Sequence, residues 1–116
     1  MKVHIIGGGN LGVSIALGLS KFSSDNQVTI TRRNTASIQY LEKLGTTVST
    51  NNIHQIQEAD VIILTIKPYQ VDAVLAEILP VISNKIIASA VSGLSIENLQ
   101  NKIGDANTAI RIMPNI

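Results

Sequence analysis

The sequence predicts an α/β fold, a doubly wound parallel sheet of six strands in the order 3-2-1-4-5-6. Three observations predict it. Short β-rich runs alternate with stretches of helical periodicity from one end to the other, the pattern of βαβ units and a parallel sheet. The first run stops at three consecutive glycines and passes directly into a helical stretch. Aromatic residues make up only 3% against 45% hydrophobic residues overall, so the core must be aliphatic, which suits strands buried on both faces.

The elements follow in order. Lys2–Ile6 is the first strand, ended by glycine. Leu11, Ile15, Leu19 and Phe22 then recur at helical spacing and predict the first helix. Gln27–Thr31 is the second strand. Asn34 is a candidate cap for a second helix that carries Ile38, Leu41 and Leu44 and stops at Gly45. Thr46–Ser49 is a weak third strand, followed by a short helical piece around Ile53–Glu58. Asp60–Ile66 is the most hydrophobic strand and so the one expected at the centre. Val71, Val74, Leu75, Ile78 and Leu79 fit one face of a helix, with Pro80 near its end. Lys85–Ala90 is the fifth strand. Ser95 caps a helix with Ile96, Leu99 and Ile103 on one face and Gly104 at its stop, and Thr108–Ile112 is the sixth strand. Right-handed crossovers then give the strand order stated above.

Bulk properties set the limits. The chain of 116 residues makes one domain, residues 1–116. A net charge of +1, with neither basic tract nor aromatic platform, argues against nucleic acid. Cysteine is absent, which removes disulfides, thiolate metal sites and a cysteine nucleophile. The apolar run before the glycines is too short for a signal peptide, and no stretch approaches the roughly 20 apolar residues of a membrane helix. The expected location is the cytoplasm, with no membrane partner.

Gly7-Gly8-Gly9-Asn10-Leu11-Gly12 satisfies G-x-G-x-x-G between a strand and a helix, the context that makes it a Rossmann dinucleotide fingerprint. Gly7 suits the tight turn, Gly9 lets the backbone approach a diphosphate, and Gly12 lets helix and strand pack closely. The N–H groups and positive end of the helix face the phosphates, and Asn10 and Leu11 belong to that first turn. A carboxylate at the end of the second strand, about 20 residues past the turn, would read the ribose 2′-hydroxyl of NAD. The chain has Thr31-Arg32-Arg33-Asn34 there. Two guanidiniums suit a 2′-phosphate, so NADP is the expected cofactor, with NAD the alternative.

Later segments add Ile66-Lys67-Pro68 after the fourth strand, Ser89-Ala90-Val91-Ser92-Gly93 after the fifth and Arg111-Ile112-Met113-Pro114-Asn115 after the sixth. Together with the glycine turn, they resemble the N-terminal NAD(P)-binding domain of pyrroline-5-carboxylate reductase. The resemblance spans the whole chain, although Val91-Ser92 stands where the family usually has Ala-Ala. It implies an oxidoreductase of proline biosynthesis in which NAD(P)H gives a hydride to a cyclic imine. It also implies that Lys67, Pro68, Met113, Pro114 and Asn115 lie toward the nicotinamide. In that family a helical C-terminal domain supplies most of the imine site, the proton-donating hydroxyl and the dimer interface. The expectation is that this domain is absent from the 116-residue chain, which then works poorly or not at all alone. No residue here is assigned a catalytic role.

Two alternatives accompany this reading, a stand-alone nucleotide-binding or redox-sensing module and the cofactor domain of an NADP reductase that uses a deazaflavin. A homo-oligomer is compatible with either. His4 and His54 have no metal-ligand spacing around them and are expected to be structural. Asp60 is an ordinary polar strand start, Arg111 an edge-strand arginine facing solvent, and Lys67 outside the family a solvated loop residue. No Ser-His-Asp or paired-carboxylate arrangement supports hydrolase chemistry.

Overall fold

The computed structural model describes residues 1–22 and 24–113. Within these residues the chain forms one six-stranded, fully parallel sheet. The strands are β1 (Lys2–Ile6), β2 (Gln27–Thr31), β3 (Thr47–Ser49), β4 (Val61–Leu64), β5 (Ile86–Ser89) and β6 (Thr108–Arg111). Their order is β3-β2-β1-β4-β5-β6, as the alternation predicts. Three α-helices flank the sheet among the described residues: α1 (Asn10–Phe22), α2 (Val71–Ile78) and α3 (Ile96–Ile103).

Alternation along the strands sends their side chains to two apolar layers. Val3, Ile5, Val28, Ile30 and Ile63 pack on one face with Ala16 of α1 and with Ile38 and Leu41. Ile6, Ile62, Leu64 and Ile87 pack on the other with Val71, Leu75 and Ile78 of α2 and Leu99 and Ile103 of α3. Ser95 caps α3 by accepting a bond from the Asn98 N–H at 3.1 Å, and Gly104 ends it.

Three expectations are corrected. The helix expected from Asn34 is instead a turn followed by a 3₁₀ segment, Gln39–Leu44. Asn34 accepts the Ala36 N–H through Oδ1 at 3.1 Å, but the bonds that follow span three residues, Ile38 N to Thr35 O and Leu41 N to Ile38 O. Asn, Thr and Ser in the first turns compete for backbone partners and favour such turns over an α-helix. The periodicity still places Ile38 and Leu41 in the core, while Leu44 is exposed. The Ile53–Glu58 piece is likewise reduced to a 3₁₀ turn at Ile56–Glu58.

In α1 the fully buried residues are Gly12 and Ala16. The larger Leu11, Ile15 and Leu19 are only half-buried, and Phe22 is 87% exposed. The helix meets the sheet through its small residues because close approach of backbone leaves no room for large ones. Finally, several strands are shorter than their apolar runs. Asp60 lies just outside β4; its N–H donates to Lys2 O at 2.8 Å and its Oδ2 accepts the Lys2 N–H at 2.8 Å. Residues 46, 65–66, 85, 90 and 112 likewise lie outside β3, β4, β5 and β6.

Between β1 and β4 the chain changes direction across the sheet. Strand β1 leads through α1 to β2 on one side, and the chain returns from β3 over the opposite face to β4 on the other. A crevice opens beyond the carboxyl ends of strands at such a switch point.

Candidate functional site

The glycine turn forms the floor of that crevice. Gly7 has φ +113°, a conformation that glycine adopts at little cost. A Cβ there would lie 2.5 Å from the Thr65 carbonyl oxygen. The Gly7 N–H continues the β2 ladder by bonding Thr31 O at 3.0 Å, and the Thr65 hydroxyl donates to Gly7 O at 2.7 Å. A Cβ on Gly12 would run into Gly7 O and come within 2.9 Å of Thr65 Oγ1, so this glycine sets how near α1 lies to β1. A Cβ on Gly9, in contrast, would meet nothing within 4 Å. Its backbone faces an open cradle, the arrangement a diphosphate needs, and the first-turn N–H groups of α1 have no partner inside the helix.

The cleft above the turn has a volume of about 760 Å³, within the ordinary range of small-molecule sites. Of the residues expected from sequence, Gly7, Gly9, Asn10, Leu11, Arg32, Arg33, Lys67 and Pro68 line it. Gly12 lies behind the turn rather than in the lining. Met113 is 81% exposed and does not line the cleft. Pro114 and Asn115 fall outside the described residues.

At the β2 end the two arginines differ. Arg32 donates from Nη1 to Gly8 O and to Ser37 Oγ, both at 3.0 Å, whereas Arg33 has no such partner among the described residues. At the β4 end Pro68 opens a 3₁₀ turn as its first residue. The Lys67 N–H is held by Gln70 Oε1 at 2.9 Å, and the Lys67 side chain lies exposed at the rim. Ala90 and Ser92, from the Ser89–Gly93 segment, close that side. The Ser89 hydroxyl accepts the Val91 N–H at 3.1 Å and shapes the turn.

Sequence reasoning missed Gly8, Thr65 and Asn52, all of which line the cleft. A Cβ on Gly8 would sit 2.8 Å from Ile38 Cδ1 and 2.9 Å from Arg32 Cβ. The glycine run itself was the signal for that position. Asn52 arrives from the β3–β4 crossover, where the pair Asn51-Asn52 gives no periodic signal. Its Oδ1 accepts from the Thr31 hydroxyl at 2.6 Å, and its carbonyl oxygen lies 2.8 Å from His4 Nε2. Among the described residues no helix is long and apolar enough to cross a membrane.

Comparison with known proteins agrees with this geometry. A family model described as NADP oxidoreductase, coenzyme F420-dependent, matches residues 2–93. Pyrroline-5-carboxylate reductase 1 of Dictyostelium discoideum is 38% identical over 97% of the chain, which covers 21% of that relative. A pyrroline-5-carboxylate reductase structure from Coxiella burnetii superposes with a TM-score of 0.87 at 29% identity. It covers 98% of this chain and 44% of its own. The NADP-bound pyrroline carboxylate reductase of Plasmodium falciparum gives a TM-score of 0.81 over 99% of this chain and 42% of its own. At 23% identity it is evidence of the fold. The chain therefore spans less than half the length of these relatives.

Proposed function

This chain belongs to the family of coenzyme F420-dependent NADP oxidoreductases, and we propose that it is the NADP(H)-binding domain of a pyrroline-5-carboxylate reductase-like enzyme. One observation carries the reading. The glycine turn and the arginine pair, more than 20 residues apart in sequence, meet in one cleft and are joined there by the bond from Arg32 to Gly8 O. The open cradle at Gly9 accepts the diphosphate. Arg32 and Arg33 take the 2′-phosphate, where an NAD enzyme would carry an acid. Lys67, Pro68, Ala90 and Ser92 form the end where the nicotinamide rests.

When bound, the cofactor supplies the hydride for reduction of a carbon–nitrogen double bond. The residues of this chain hold and orient the dinucleotide. Holding the imine against the nicotinamide falls to the part of the relatives that lies outside residues 1–116. Positioning of this kind accounts for roughly 7–11 kcal/mol of a barrier, so the chain alone binds cofactor and turns over slowly. We place the protein in the cytoplasm and the full enzyme in a homo-oligomer.

The family description favours a second reading, with a deazaflavin as the hydride partner. The names of the relatives favour the imine. The test is calorimetric titration of the chain with NADPH and NADH, followed by reduction assays with pyrroline-5-carboxylate and with coenzyme F420. The assays use the chain alone and joined to the remainder of a relative. Tighter binding of NADPH, and imine reduction only in the joined form, is the expected result. Absence of NADPH binding overturns the proposal, and reduction confined to coenzyme F420 replaces the imine reading with the deazaflavin one.

A further inference from the structure

Strand β1 lies between β2 and β4 and is buried on both faces, yet it carries a histidine between Val3 and Ile5. His4 is 1% exposed. A carbonyl oxygen only accepts, so the 2.8 Å contact to Asn52 O places the imidazole hydrogen on Nε2. Burial away from water lowers the pKa of the ring, opposed by this bond and helped slightly by His54, and so favours the neutral form.

The same asparagine is held from the next strand. The Thr31 hydroxyl, itself buried, donates to Asn52 Oδ1 at 2.6 Å. One residue of the β3–β4 crossover is thus clamped by its backbone and its side chain to two adjacent strands. The crossover needs such anchors. Residues 50–59 are held to themselves by short-range turn bonds, such as His54 N–H to Asn51 O and Ile56 N–H to Ile53 O, which shape the turns but do not fix where they lie on the sheet, and only Ile56 and Ala59 plug into the core. Asn52 lines the cleft beside Thr31 and Arg32, whereas His4 does not reach it.

We infer that His4 is a positioning residue for the cofactor cleft, fixing through the Asn52 carbonyl the wall against which the adenosine half of the dinucleotide rests. The inference depends on the dinucleotide reading above. It assigns a role in ligand affinity to a side chain that touches no ligand.

The experiment measures binding of NADPH, 2′,5′-ADP and nicotinamide mononucleotide to the wild-type chain and to His4→Leu and His4→Gln, beside thermal melts. Leucine removes the donor, while glutamine carries an amide N–H to about the place of Nε2. Loss of one such hydrogen bond is expected to weaken NADPH and 2′,5′-ADP by the same factor, about three- to tenfold. Nicotinamide mononucleotide should be unaffected, and His4→Gln should restore the affinity. His4→Val is a second variant without a donor, in case His4→Leu does not fold. Unchanged 2′,5′-ADP affinity in a folded donor-free variant overturns the inference alone. So does a loss that His4→Gln shares in full, or the failure of both donor-free variants to fold, since each makes His4 a packing residue only. A wild-type chain that binds neither NADPH nor 2′,5′-ADP overturns the dinucleotide reading and the inference with it.

Discussion

The guanidinium of Arg32 donates to the carbonyl oxygen of Gly8 at 3.0 Å, tying the end of β2 to the glycine turn. The two arginines are therefore not equivalent. Arg32 braces the glycine turn, which the proposed reading sets against the diphosphate that NADPH and NADH share. Arg33 has no bond to that loop. Arg32→Ala is expected to weaken both cofactors, NADPH the more because Arg32 also meets the 2′-phosphate in the proposed reading, and Arg33→Ala to weaken NADPH alone. A charge-assisted bond contributes about 1.5–3 kcal/mol, and exposure places Arg33 at the lower end of that range. Titrations of both variants with both cofactors check this. Identical cofactor profiles for the two variants would remove the bracing role.

The glycines of the turn divide into those whose Cβ would strike the fold and Gly9, whose Cβ would enter open space. A Cβ on Gly12 strikes backbone at Gly7 O, which cannot move aside as a side-chain tip can. Gly12→Ala should lower stability by about 1–3 kcal/mol, the usual cost of overpacking, read from urea denaturation. Gly9 faces open space, so Gly9→Val should leave stability within about 0.5 kcal/mol, as for most surface changes. The same variant should abolish NADPH binding, because the side chain fills the cradle. A Gly9→Val protein that is folded and binds normally would place the diphosphate elsewhere.

His4 gives the fold a defined pH dependence. Its folded pKa lies below the ordinary histidine value of about 6.5, chiefly through desolvation. Above that value the ring is neutral whether the chain is folded or not, and the full stability is present. As the pH falls below it, the unfolded chain takes up the proton first, and stability is lost until the folded pKa is passed. The slope from this one group is at most about 1.4 kcal/mol per pH unit. Denaturation at neutral pH and near pH 5 should show a loss in wild type that is smaller in His4→Gln. Equal losses in the two would mean that other groups carry the acid sensitivity.

Gln100 finishes the sheet at its β6 edge. Its Oε1 accepts the Ala109 N–H at 2.9 Å, and its Nε2 donates to Asn107 O at 2.9 Å and to Gly104 O at 2.7 Å. One α3 side chain thereby occupies groups that an edge strand would otherwise leave open to pairing. Gln100→Leu keeps the bulk and orphans three backbone groups, at about 1–3 kcal/mol for each that becomes buried. Partial exposure of this edge brings the expected total to about 2 kcal/mol. Urea denaturation measures it, and light scattering should register increased self-association. Wild-type stability in that variant would show that water replaces the lost bonds.

The alternation of periods, the aliphatic strands and the glycine turn determined the architecture. A βαβ succession has one favoured handedness and few ways to close a parallel sheet, so six strands in that order follow from local patterns. The same logic placed most of the candidate site residues around one cleft. Gly7, Gly9 and the Arg32–Arg33 pair sit at fixed places relative to strand ends, and strand ends converge at the switch point.

What local pattern could not reveal depends on contacts between distant segments. The stretch from Asn34 to Leu44 has helical spacing, but its backbone bonds are 3₁₀ because polar side chains compete for the first turn. The surface of α1 that packs is the one carrying Gly12 and Ala16, since close helix–sheet approach selects small residues over the apolar stripe. Arg32 reads from sequence as a phosphate ligand, and only its position 3.0 Å from Gly8 O makes it also a brace. His4, Thr31 and Asn52 lie on three separate segments with no shared motif. Hydrogen bonds among them require the sheet register and the path of the crossover, and neither is encoded within any one window of the chain. Sequence alone thus determined which strands form and where the glycine turn lies. The tertiary structure decided which side chains hold the cleft in shape, because that depends on polar groups brought together only when the sheet closes.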